Sequence, residues 1–92
     1  MIVSFRDRDT ETLFGDRSVA RFRSIERAAR RKLLLIHRAA GLADLRVPPG
    51  NRLERLRGDR DGQFSVRIND QWRVCFEWRD RDAYLVEIVD YH

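Results

Sequence analysis

Between positions 22 and 40 the apolar residues Phe22, Ile25, Ala29, Leu33, Ile36 and Ala40 recur at steps of three and four. That period is one stripe of an α-helix. Ser18 offers an N-cap hydroxyl and Gly41 a stop, so the spacing predicts a long helix over 18–40. Leu34 and Leu35 widen the stripe. Arg23, Arg27, Arg30, Arg31 and Arg38 take the other side, which reads as a solvated face or as a surface for an acidic partner.

Beyond position 62 the period changes to two. Phe64, Val66 and Ile68 alternate with Gln63, Ser65 and Arg67, and Trp72, Val74, Phe76 and Trp78 alternate with Arg73, Cys75 and Glu77. A last strand over 83–89 puts Tyr84, Val86 and Ile88 on one apolar phase. A two-residue turn at Asn69-Asp70 and a second turn over 79–82 join the three strands into a meander. The remaining segments are shorter: an opening strand over 1–5, a brief helical piece over 10–14 closed by Gly15, and one helical turn in 41–51 before the Pro48-Pro49-Gly50 break. A strand over 53–57 and a turn over 58–62, with Asp59 and Gly62 as turn residues, complete the chain. Helices crowd the first half and antiparallel strands the second, so the class is α+β, with the helices packed on one face of an antiparallel sheet. The other face is expected to be open and to carry Gln63, Ser65, Arg67, Arg73 and Glu77, with Arg57 arriving from the neighbouring strand.

A chain of 92 residues supports one domain, 1–92, because so small a fold buries only about 60 to 65% of its unfolded surface. Hydrophobic residues at 42% suffice for one core, and no run of 18 apolar residues exists to cross a membrane. The start has no basic stretch, long apolar segment or small-residue cleavage site, so the cytoplasm is the expected location, and disulfides are not expected. Cys75, the sole cysteine, lies in an apolar run and reads as a structural thiol. Net charge is +4, and of the 19 lysines and arginines all but Lys32 are arginine. Arginine matches phosphate bidentately and stacks on bases, which makes nucleic acid the leading partner class, although a GC-rich genome produces the same bias.

The chain has no P-loop, GxGxxG, CxxC, HExxH or Ser-centred nucleophile elbow, so neither a cofactor nor a metal is expected. Of two histidines, His37 reads as a helix-boundary residue. His92 lies beside Asp90 and Tyr91, where proton-handling groups concentrate. Cleaving RNA without metal needs a base for the 2′-OH proton, an acid for the leaving 5′-oxygen and cations around the phosphorane-like charge. His92 and Asp90 can exchange protons, Tyr91 can stack on a base or hold the phosphate, and Arg57 and Arg73 can stabilise the developing charge. Arginine and aromatic groups on an open sheet also describe an RNA platform without catalysis.

The segments Pro49-Gly50-Asn51-Arg52-Leu53-Glu54, Leu56-Arg57-Gly58-Asp59-Arg60, Asn69-Asp70-Gln71-Trp72-Arg73 and Val86-Glu87-Ile88-Val89-Asp90-Tyr91-His92 resemble those of HigB toxins, in the RelE/ParE superfamily. The likeness spans essentially the whole chain. It implies a RelE-like microbial RNase fold and metal-independent cleavage of messenger RNA in the decoding site of the 70S ribosome of a bacterial cytoplasm. It also implies neutralisation by a HigA-type helix-turn-helix antitoxin, through which alone operator DNA is reached. By position the catalytic set is Arg57, Arg73, Asp90, Tyr91 and His92. Arg67 is the RNA contact expected on the open face, and Arg55 and Arg60 are further RNA contacts or simply solvated. Relatives can have lysine at 57, and arginine there can only stabilise charge, so proton transfer rests on His92 and Asp90. Where relatives can carry histidine this chain has Glu54, whose anion is expected to slow cleavage and make a mild toxin. A ParE-like gyrase inhibitor shares the fold, but the Asp90-Tyr91-His92 triplet argues against it.

Overall fold

The computed structural model describes residues 1–90. A short helix α1 (Arg8–Phe14) opens the chain, and a 3-10 turn (Ala20–Ile25) leads into the longer helix α2 (Glu26–Arg38). Two more 3-10 turns, Leu42–Arg46 and Pro49–Asn51, precede a four-stranded antiparallel sheet of β1 (Glu54–Arg55), β2 (Gln63–Arg67), β3 (Trp72–Arg79) and β4 (Asp82–Asp90). Spatial order follows chain order. This is the α+β arrangement that the periodicities predict, with both helices packed against the sheet.

The apolar stripe of 22–36 is fully used. Phe22, Ile25, Ala29, Leu33 and Ile36 are buried against Val66, Val74, Phe76, Ala83, Val86 and Ile88. Each large apolar side chain removed from water in this way contributes about 1.5–3 kcal/mol. The ends of the predicted helix differ from 18–40. Ser18 is exposed and does not cap, because Val19 and not Ser18 precedes the first turn. Phe22 and Ile25 stand three apart, a spacing that a 3-10 turn of three residues satisfies as well as an α-helix does. At the other end Ala39, extended and buried, replaces the exposed Ala40 in the core.

Asp7 caps α1 through its carboxylate, which accepts from the Thr10 amide at 3.1 Å. The opening residues form two isolated parallel bridges to β4, Ile2 to Ala83 and Phe5 to Val86, and no continuous strand. Four backbone hydrogen bonds tie residues 1–6 to Ala83 and Val86, and Ser4 Oγ accepts from the Leu85 amide. The Ile2 amide donates to His37 Nδ1 at 3.1 Å, so His37 joins the end of α2 to the opening segment.

Three details of the sheet depart from simple alternation. The strand predicted over 53–57 shrinks to Glu54–Arg55, leaving Arg57 outside it at the head of a 3-10 turn, Gly58–Arg60. The β2–β3 connection is a three-residue loop, Asn69 to Gln71, since the Ile68 amide donates to the Trp72 carbonyl, and Asn69 Oδ1 accepts from the amides of Gln71 and Trp72. Leu85 takes φ 52° at a register shift between β3 and β4, and the extra residue reverses the phase of the strand before it. Ala83 therefore joins Val86 and Ile88 in the core, and Tyr84 leaves the predicted apolar phase to sit under the Arg79 guanidinium at 4.1 Å.

Candidate active site

The sheet face turned away from the helices was expected to be open. It is instead a closely satisfied polar layer: Gln63, Ser65, Arg73 and Glu87 are all buried, as is Cys75 between them. The side chains of Arg6 and Arg60 reach over it to Glu87, and Leu56, buried yet outside the main hydrophobic cluster, donates its amide to the Gln63 carbonyl. Polar groups at this depth persist only when bonded to one another.

Arg73 is the centre of the layer. It stands opposite Arg67 on β2 and Val89 on β4, with 8% of its surface exposed. Its Nε donates to Ser65 Oγ at 2.8 Å, and one Nη donates to the Arg52 carbonyl at 2.6 Å. Arg52 presents that carbonyl from a left-handed conformation, φ 44°, where the chain leaves the Pro49–Asn51 turn. Glu54, opposite Ser65 on β1, brings Oε1 to 3.9 Å from the same guanidinium. The guanidinium is thus fixed in place with a carboxylate at its rim. Arg67, directly across, pairs with Asp70 of the loop.

One row along the strands, Glu87 faces Cys75 and receives two arginines: Arg6 Nε at 2.6 Å and Arg60 Nη2 at 3.0 Å. Arg60 Nη1 also donates to Gln63 Oε1. Arg6, Asp59, Arg60 and Gln63 line an open cavity of about 360 Å³. Burial pushes the Cys75 thiol above its ordinary range, so it is a neutral packing group rather than a nucleophile.

The residues expected from the sequence are thus distributed unevenly. Arg73 and Arg67 come together on one face and Arg60 lies along it. Arg57 is exposed beside Gly58, whose φ of +68° favours glycine, and Arg55 is exposed on β1. Asp90 is opposite Trp72, on the alternate phase to Arg73, and accepts from Gln71 Nε2 at 3.1 Å. Tyr91 and His92 lie outside the described residues. Among the described residues no group of three or more His, Cys, Asp and Glu side chains could hold a metal ion.

Ser65, Arg6 and Glu87 were missed as site residues. Glu87 had a signal, a charge set between Val86 and Ile88 in an otherwise apolar strand. Arg6 had none, because it reaches the layer only through the parallel contact of residues 2–6 with β4.

Comparison with known proteins places the chain in a family. A family model described as a RelE-like toxin of the type II toxin-antitoxin system HigB matches residues 3–92. Toxin HigB-1 of Vibrio cholerae serotype O1 is 42% identical over 82 residues, covering 87% of this chain and 86% of that protein. Endoribonuclease HigB of Proteus vulgaris is 39% identical over 41 residues, 45% of each chain. An uncharacterized protein of Haemophilus influenzae is 34% identical over 53 residues, 58% of this chain and 52% of its own. The match over nearly the whole length, on a fold of two helices against a four-stranded antiparallel sheet, shows that the chain belongs to the HigB-like toxins, RelE-like toxins of type II toxin-antitoxin systems.

Proposed function

We propose that the chain is an endoribonuclease that cuts messenger RNA in the ribosomal decoding site, without a metal ion, and so stops translation in the bacterial cytoplasm. The observation that carries this reading is the anchored guanidinium of Arg73 on a polar sheet face, in a family that includes a protein named an endoribonuclease. A charge donor that is already immobilised needs no reorganisation when negative charge builds on a phosphate, which is the condition for effective electrostatic catalysis.

In the reaction a base removes the 2′-OH proton and the 2′-oxygen attacks phosphorus. The bond to the 5′-oxygen then breaks as an acid protonates that oxygen, leaving a 2′,3′-cyclic phosphate and a 5′-hydroxyl. Arg73 stabilises the pentavalent charge, and Arg57, exposed and close in sequence to β1, adds a second cation. His92 and Asp90 carry the protons, and Tyr91 stacks on a base or holds the phosphate. Arg67, Arg60 and Arg55 hold flanking RNA. A HigA-type antitoxin neutralises the protein and links it indirectly to operator DNA. No described helix is long and apolar enough to cross a membrane, and the reading requires none to be.

The test is mapping of messenger RNA 5′ ends after brief induction of wild type and His92→Ala, with folding of both checked. Cleavage within translated codons by wild type alone is the expected result. Equal cleavage by the variant would remove His92 from the chemistry, and growth arrest without cleavage would replace the nuclease by a gyrase-type or purely binding toxin.

A further inference from the structure

The arginine-rich side of α2 is not used by the polar layer, which lies across the sheet. On it Arg27, Arg31, Leu34 and Arg38 follow one another at steps of four, three and four, a single stripe along the helix. Leu34 is 38% exposed, and Val47 in the following loop is 69% exposed, two of the few large apolar side chains left in water. Leu34, Leu35 and Pro48 form the apolar wall of a groove of about 330 Å³, and Arg31, Lys32 and Arg38 form its rim. Lys32 is already engaged, donating to Asn51 Oδ1 at 2.6 Å. Among the described residues Arg31 and Arg38 have no carboxylate within ion-pair distance, and the ion pairs formed by the basic residues of α2 are those of Arg30.

We propose that this groove is the docking site for an acidic amphipathic helix of the antitoxin that pairs with this toxin. Charge decides the occupant. A second copy of the chain would bring the same arginines and its own +4 to the contact, which repels. RNA would satisfy the arginines but gain nothing from Leu34, Leu35 and Val47, whereas a helix with an apolar stripe between carboxylates satisfies both. Arg31 and Arg38 are seven residues apart, about 10 Å along α2, so the partner needs two carboxylates two turns apart with apolar side chains between them. The partner class rests on membership of the toxin-antitoxin family; the groove itself does not depend on the proposed cleavage reaction.

Titration of purified toxin variants with the cognate antitoxin tests the assignment. Leu34→Asp puts a like charge into the apolar wall and Val47→Asp puts one beside Pro48 of that wall, both at exposed positions where the melting temperature should hold. Each should weaken binding by about 30-fold or more, the scale of an interface hot spot. Arg31→Glu with Arg38→Glu should do the same and abolish the salt dependence of association. Messenger RNA cleavage by all of these variants should stay at the wild-type rate, and growth arrest should escape the antitoxin. Unchanged antitoxin affinity in the aspartate variants would overturn the proposal. So would a loss of ribosome binding in the glutamate variants with antitoxin binding intact, which would make the stripe an RNA surface. Because the titration does not require cleavage, a wild type that fails to cut RNA would refute the proposed function and leave the docking result standing.

Discussion

Replacing Ser65 by alanine probes how Arg73 is held. The hydroxyl is buried and accepts from Arg73 Nε at 2.8 Å, so its removal strands one donor of a cation that is itself buried. Hydrogen bonds to charged groups contribute about 1.5–3 kcal/mol. With the Arg52 carbonyl still accepting from Nη, a loss of about 2 kcal/mol is expected. In a domain of this size that lowers the melting temperature by about 8–16 °C. Calorimetry of Ser65→Ala, Arg73→Met and the double variant closes a cycle whose coupling should exceed about 1 kcal/mol, since either substitution removes the bond between the two side chains. Cleavage should fall about tenfold in Ser65→Ala, less than the 10² to 10³ expected of a lost charge donor, because the guanidinium is loosened and not removed. Additivity within about 0.5 kcal/mol, or a melting point within about 2 °C of wild type, would show that Ser65 does not position Arg73.

In the proposed reaction Glu54, 3.9 Å from the Arg73 guanidinium, would compete with phosphate for it, but it is more than half exposed and the pair is worth at most about 1 kcal/mol; Glu54→Gln should therefore speed cleavage on translating ribosomes by up to about fivefold. A slower Glu54→Gln variant would contradict this. Glu87→Gln removes two ion pairs whose arginines are partly in water, so the expected loss is about 1–2 kcal/mol, shrinking in 1 M salt; a loss independent of salt, measured by denaturant titration, would mean that packing and not charge is at stake. Cys75 should resist alkylation in the native protein. Burial raises its pKa above 9.0, so its contribution to stability is complete below pH 9 and declines as the pH rises through the folded value, because the unfolded chain ionises first. Cys75→Ala should flatten that decline in a series of melting curves above pH 9, and an unaltered slope would assign it to other groups.

The long helix and the meander were legible because burial imposes periods that survive in sequence, 3.6 along α2 and two along β2 and β3. What escaped was local backbone geometry. Nothing in the residue types marks Leu85 as left-handed, and that one residue moved Tyr84 out of the core and Ala83 into it. The polar face misled for a different reason. Alternation shows that Ser65, Arg73 and Glu87 point away from the helices, but not that the Arg52 carbonyl and the Arg6 and Arg60 side chains close on them. Arg73 and Arg67 were found through the resemblance and the phase of their strands. Ser65, the partner that fixes Arg73, is visible only once β2 and β3 are in register.

The opening segment clasped along β4 sets an order on synthesis. Ile2 and Phe5 find their partners at Ala83 and Val86, and Ser4 bonds to Leu85, across 81 positions. A nascent chain emerges N-terminus first, so Arg6 waits for Glu87 and the polar layer stays incomplete until β4 has left the ribosome. Contacts of such long sequence separation also form slowly. Closure of the clasp is therefore the step that completes the polar layer, and it comes only after the helices and the earlier strands are available to pack.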